Sequence, residues 1–155
     1  MKIAVLCVGK AREAWVREAQ EKYRKFLSPF LPVEIVEIPE EKLSDPGRPE
    51  GALKKEAARI AARLKEGSRL VLLDAGGRSF DSRKFAGWLE KRLGEGKPLA
   101  FLVGSATGVA DEVRARADEA ISLSPLTFPH DLARIVLLEQ LYRAMTILRG
   151  KMYHY

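Results

Sequence analysis

Leu99-Ala100-Phe101-Leu102-Val103, followed at once by Gly104-Ser105-Ala106-Thr107-Gly108, is the stretch on which the reading of the fold turns. A short apolar run without alternation describes a strand buried on both faces, the kind found in parallel sheets covered by helices. The glycine- and hydroxyl-rich segment behind it opens a turn at the strand's carboxyl end. A second unusual turn lies downstream, Ser122-Leu123-Ser124-Pro125-Leu126-Thr127-Phe128-Pro129-His130. Its two prolines fix φ and restrict the residues before them, so the loop is stiff. It feeds the longest helical pattern in the chain, Leu132 to about Leu148.

Strand and helix alternate outward from there. Lys2 to Val8 reads as a buried strand ending at Gly9. Glu13 to Phe26 has helical spacing, with Trp15, Ala19, Tyr23 and Phe26 on its inner face. Val33 to Ile38 is a β-branched second strand, and the proline-rich segment Pro39 to Glu50 is a loop. Leu53, Ala57, Ile60, Ala61 and Leu64 mark an amphipathic helix. Arg69 to Leu73 is a third strand closing at Asp74-Ala75-Gly76-Gly77. Asp81 or Ser82 caps a helix with Phe85, Trp88, Leu89 and Leu93 inward. A short helix from Val109 to about Ala117 leads to a fifth strand, Ala120 to Leu123. The pattern predicts one α/β domain over 1–155, a largely parallel sheet with helices on both faces.

The chain has 155 residues, 46% of them hydrophobic and 31% charged, which excludes disorder and allows a real core. Cys7 is the sole cysteine and sits in an apolar strand. It reads as a small buried hydrophobe and fits a reducing, cytoplasmic setting. One cysteine and two distant histidines give no metal site by ligand count. Neither a phosphate-binding Gly-Lys-Ser/Thr loop nor the dinucleotide fingerprint is present. Ile3 to Val8 is too short for a signal peptide or membrane span. The net charge of +6 favours an acidic partner, with nucleic acid the first candidate.

The final helix carries Leu132, Ile135, Val136, Leu137, Leu138, Leu141, Tyr142, Ala144, Met145, Ile147 and Leu148 on more than one stripe. Such a helix must be covered on most sides, which predicts a homodimer; a fully buried central helix in a monomer is the alternative. Open parallel sheets bind ligands beyond their carboxyl ends. Three such ends, Leu73–Gly77, Val103–Gly108 and Leu123–Pro129, combine glycines with Leu and Phe and suit a nucleoside-like cofactor. Each glycine pair taken alone reads equally as a simple turn. His130 at a helix start reads as a cap or packing group. His154, between two tyrosines, is either a stacking site for a base or a solvated tail.

Ile121-Ser122-Leu123-Ser124, Leu126-Thr127-Phe128-Pro129-His130, Arg134, Leu138-Glu139-Gln140-Leu141-Tyr142-Arg143-Ala144, Gly150 and Tyr153-His154 together resemble one family. It is the large-subunit ribosomal RNA pseudouridine N3-methyltransferase family of the SPOUT class. The likeness runs the length of the chain, including Val8-Gly9-Lys10, Leu73-Asp74 and Gly104. It implies a trefoil knot in the C-terminal third, about 99–155, with S-adenosylmethionine bound in it, a homodimer, and action on large-subunit rRNA in the assembled ribosome. The cofactor site it implies is Leu73, Gly104, Leu123, Ser124, Pro125, Leu126, Thr127 and Phe128. Within that reading His154 accepts or orients the N3 proton and Tyr153 stacks or hydrogen-bonds nearby. Arg134 and Arg143 neutralise phosphate or the developing uracil oxyanion, with surface charge or an intersubunit pair as the alternative.

Two departures from the family pattern stand out. Ser105 takes the place of a second glycine, and Met152-Tyr153-His154-Tyr155 lacks the proline and the final basic residue. The second departure bears on RNA contact. A second reading is a non-catalytic RNA-binding protein on the same scaffold, and a hydrolase is disfavoured for want of a Ser–His–acid set. The far end of the last helix lies roughly 25 Å from the proline loop at 1.5 Å per residue. A short extended tail past Gly150 cannot span that distance, so His154 reaches the cofactor only if the chain doubles back through the knot or if the pocket is the partner subunit's, and the reading favours the partner.

Overall fold

A computed structural model describes residues 2–153. The elements are β1 (Ile3–Val8), α1 (Ala14–Leu27), β2 (Val33–Ile38), α2 (Glu50–Arg63), β3 (Arg69–Ser79), α3 (Ser82–Gly94), β4 (Leu99–Val103), α4 (Asp111–Arg116), β5 (Glu119–Ser122) and α5 (His130–Leu148). The strands form a 5-stranded sheet in the order β2-β1-β4-β3-β5. Every pair is parallel, with β1 between β2 and β4. The expected α/β architecture is present.

Side chains alternate across the sheet and build a core on each face. Ile3, Val5, Cys7, Val71, Leu99, Phe101 and Ile121 face α1, α3 and α5. Leu6, Val8, Leu70, Leu72, Ala100 and Leu102 face α2 and α4. Asp81 caps α3 by accepting the Lys84 N–H at 2.8 Å. The edge strand β5 is pinned to α3 by Glu119, which accepts from the Trp88 indole at 2.8 Å and pairs with Arg92.

Four expectations need correcting. The inner stripe of α1 is not Trp15 and Phe26, which are 51% and 41% exposed, while Val16 and Leu27 are buried. Two adjoining stripes were available on this helix, and the aliphatic one is inside. Second, α5 lies between α1 and α3 above the sheet, so Leu137, Leu138, Leu141, Ala144 and Met145 are buried within the chain. Sheet and two flanking helices cover these five, while Ile135, Val136, Tyr142, Ile147 and Leu148 are half-buried and Leu132 is exposed.

Third, β3 does not stop at Leu73. Leu73 and Arg78 both pair with Ile121, so residues 74–77 loop out as a bulge and the strand resumes to Ser79. Gly77 permits this, because a Cβ there would lie 2.7 Å from the Ala120 carbonyl carbon. Fourth, the chain past Gly150 is not extended. Gly150 has φ +64°, the Lys151 N–H donates to the Thr146 carbonyl at 2.9 Å and the Gly150 N–H to Ile147 at 3.2 Å. This paired closure of a helix end turns the chain back along α5.

Gly77→Ala should lower stability by about 1–3 kcal/mol, since backbone rather than a yielding side chain occupies the space. Urea unfolding measures this, and an unchanged midpoint would contradict the close β3–β5 approach.

Candidate functional site

The carboxyl ends of β3 and β4 and the loop after β5 enclose two adjoining cavities of about 250 and 150 Å³. Leu73, Asp74, Ala75, Thr127, Phe128 and Ala133 wall both. Gly104 belongs to the first, and Leu123, Ser124 and Leu126 to the second. Seven of the eight residues expected to hold a cofactor therefore meet around one space, drawn from three separate stretches of sequence; Pro125 is outside its walls. Apolar side chains such as Leu73, Leu123 and Phe128, with polar ones such as Asp74, Ser124 and Thr127 beside them, suit a flat, partly apolar ligand. The combined space reaches the lower end of the usual size of small-molecule sites.

Gly104 is required by an internal approach. A Cβ there would sit 2.9 Å from Val109 Cγ1 and 3.2 Å from the Gly108 carbonyl oxygen. The turn is closed by the Gly108 N–H donating to the Ser105 carbonyl at 2.9 Å. The Ser105 hydroxyl lies within hydrogen-bond distance of the Gly108 carbonyl, Thr107 and Glu56. Glu56 on α2 is 4% exposed and also accepts the Glu41 N–H at 2.9 Å; burial holds its carboxyl above the usual range. The turn is thus braced from the far side of the sheet. From the same face, Arg114 of α4 pairs with Asp74 and with the Gly76 N–H holds its carboxyl below the usual range.

The C-terminal candidates form a second cluster. Tyr153 stacks on Tyr142 with ring centroids 4.7 Å apart, and its hydroxyl donates to Glu139 Oε1 at 3.2 Å. Arg143 pairs with Glu139 and lies over the Tyr153 ring at 4.9 Å. Burial and the Glu139 charge push the Tyr153 phenol up to about 12, so it is a hydrogen-bond donor rather than a base near neutral pH. His154 and Tyr155 lie outside the described residues.

Comparison with known proteins decides the family. A profile described as "Predicted SPOUT methyltransferase" matches residues 1–154. The chain belongs to the SPOUT methyltransferase family. It is 44% identical over 155 residues to a protein of Syntrophotalea carbinolica named ribosomal RNA large subunit methyltransferase H, covering 99% of each chain. Proteins of the same name from Gloeobacter violaceus and Caldicellulosiruptor saccharolyticus are 43% and 41% identical. The first match covers 100% of this chain and 99% of the relative, the second 98% and 99%.

In this SPOUT methyltransferase Arg134 does not stand where a phosphate or a uracil oxygen could meet it. It is 1% exposed. Its Nη2 donates to the Gly9 carbonyl at 2.9 Å and lies 3.5 Å from Asp131, and its Nη1 donates to Glu37 at 3.3 Å. Glu37 also accepts the Ala11 N–H at 2.6 Å. Arg134 is a structural brace joining the first turns of α5 to the end of β1. The sequence pattern alone could not separate this from a surface role, because its partners lie far along the chain.

Asp74 and Ala75 lie within the strand end Leu73–Gly77 read from the sequence, whereas Arg114 on α4 and Ala133 on α5 are common types that only the fold brings to the cavity. His130, read as a cap or packing group, also lines the first cavity, with its Nε2 3.5 Å from Asp131. Among the described residues no group of three or more His, Cys, Asp or Glu could hold a metal.

Arg134→Met should destabilise the fold by about 3 kcal/mol, since it strips the partner from a buried carbonyl and two carboxylates. Denaturant unfolding measures this; a loss below about 0.5 kcal/mol would show that the brace is dispensable. Burial pushes the Cys7 thiol up to about 11, so at pH 8 it should resist alkylation in the native protein. Mass spectrometry after iodoacetamide, with and without urea, reads the difference.

Proposed function

We propose that this chain, one SPOUT methyltransferase domain spanning 1–155 and knotted in its last third, methylates N3 of a pseudouridine in large-subunit rRNA. S-adenosylmethionine is the methyl donor, and the enzyme works as a cytoplasmic homodimer on the assembled ribosome. The observation that carries the reading is the convergence of Leu73, Gly104, Leu123, Ser124, Leu126, Thr127 and Phe128 on one strand-end space. Full-length relatives named for rRNA methylation support the substrate, as does the net charge of +6. No described helix is long and apolar enough to cross a membrane.

The cavity walls fit an adenosyl group: Leu73 and Phe128 supply apolar faces, and the backbone around Gly104 and Leu123 to Thr127 supplies polar edges. Bound S-adenosylmethionine supplies an electrophilic methyl group. The chain's own task is to hold the uracil ring so that N3 faces that carbon at about 3–3.5 Å. His154 accepts the N3 proton, Tyr153 remains a neutral donor or stacking partner, and Arg143 offsets charge developing on the ring oxygen.

The tail turns back along α5, yet Tyr153 meets Glu139, nine residues from the start of the helix at His130. At 1.5 Å per residue this leaves about 14 Å to the proline loop. Tyr153 is anchored at Glu139, away from the proline loop of its own chain, which favours a loop supplied by the other subunit. The reading makes the active site composite, with Tyr153, His154 and Arg143 of one subunit serving the loop of the other. The outward aromatic band of Trp15 and Phe26 on α1, beside Tyr142, offers the dimer surface.

Mass mapping of rRNA methylation in cells lacking the protein tests the substrate. Isothermal titration with S-adenosylmethionine tests the cofactor; absent binding would favour the non-catalytic RNA-binding reading. Subunits carrying His154→Ala and subunits carrying Thr127→Trp, which fills the cavity from an exposed position, should each be nearly inactive. Mixed dimers should recover about a quarter to half of wild-type activity, because one of their two sites is intact. No recovery despite proven subunit exchange would reject the shared site.

A further inference from the structure

Cover on the sheet is lopsided. One face carries helices of 14, 13 and 19 residues, α1, α3 and α5, whereas the other carries α2 with 14 and α4 with only 6. Parallel sheets are ordinarily buried on both faces. On the thinner side α2 sets Ala57 and Ile60 against Leu70, Leu72 and Leu102. Beside it the amino-terminal half of β2, β1 and β4 is less covered: Ala4 and Val36 are half-buried, with Leu6 and Ala100 buried beneath them. There Ala4, Leu6, Val36, Leu64 and Ala100 line a groove of about 600 Å³, larger than either strand-end cavity. The small side chains of Ala4 and Ala100 give it depth.

Its rim is cationic. Lys2, Arg63, Lys65 and Lys97 stand around the groove, and Glu34, the one carboxylate in the lining, already pairs with Lys2 at 3.4 Å. Arg63, Lys65 and Lys97 are exposed. None of the three takes part in an ion pair among the described residues. The lining contains no aromatic ring on which a base could stack. A second copy of a chain with net charge +6 would bring like charge to this rim.

We infer that this groove docks an acidic peptide segment of a partner protein, with aliphatic side chains on the sheet and carboxylates on Arg63, Lys65 and Lys97. It lies at the amino ends of the strands, opposite the candidate cofactor site, so both can be occupied together. Charge on the rim selects and steers the peptide, while the aliphatic floor supplies the buried area.

The test is an amide NMR titration of the ¹⁵N-labelled full chain with an amphipathic peptide of glutamate and leucine. Ala4, Val36, Lys97 and Ala100 should shift while Gly104 and Thr127 stay still. Adding salt should weaken binding. Arg63→Glu with Lys97→Glu should weaken it by about tenfold or more, with the melting temperature and S-adenosylmethionine titration unchanged. The inference is overturned if no groove amide moves at about 1 mM peptide, a Kd too weak to specify a partner. It is equally overturned if the same peptide with lysine in place of glutamate binds as well, or if a uridine oligonucleotide perturbs these amides more strongly. Loss of S-adenosylmethionine binding in the unaltered protein would count against the proposed methyl transfer and leave the groove's result standing.

Discussion

A guanidinium sealed from solvent has to find its partners inside the protein, and where it finds them decides where its helix begins. Arg134 finds the Gly9 carbonyl, Glu37 and Asp131, so the first turns of α5 are docked at the end of β1. The preceding strand, β5, lies at the far edge of the sheet, with β3 and β4 between it and β1. Three strand spacings amount to about 14 Å. The loop from Leu123 to Pro129 must cross that distance, and its path runs over the ends of β3 and β4. The cavity exists because the chain is compelled to roof it. Two prolines stiffen the roof, so the space is shaped before any ligand arrives.

The turn under that roof is held from the α2–α4 face of the sheet. Ser105 ties it to a carboxylate on α2, and Gly104 lies so close to Val109 that the path has no room for a side chain. Glu56 in turn holds the backbone of Glu41, in the proline-rich connection before α2. A methyltransferase benefits from such bracing, because transfer depends on holding two reacting atoms in line rather than on a reactive side chain.

Much of this was legible in the sequence. Val33–Ile38 and Leu99–Val103 are strands with the bounds that β-branched content and an unbroken apolar run respectively indicate, and Asp81 caps its helix as its type predicts. Glycines and prolines at the ends of apolar runs mark the three strand ends, and these converge. Side-chain direction was harder to read. On α1 the aromatic and aliphatic stripes differ by one residue in register, and a hydrophobicity pattern does not rank them. Arg134 looked like any helix arginine because its partners come from β1, β2 and its own preceding turn. The β3 bulge was hidden because Asp-Ala-Gly-Gly is as good a turn as it is a bulge, and the choice rests on pairing with Ile121, an edge strand formed much later in the chain.

That bulge has a consequence for how such a site can diversify. Leu73 and Arg78 hold the same partner from either side, so the strand's register is anchored on both flanks of residues 74–77. Lengthening or shortening this short arc leaves the hydrogen-bonded ladder where it is and moves only the wall that Asp74 and Ala75 present to the cavity. The sheet can therefore stay constant while its pocket is resized, a separation of scaffold from contour that an uninterrupted strand would not permit.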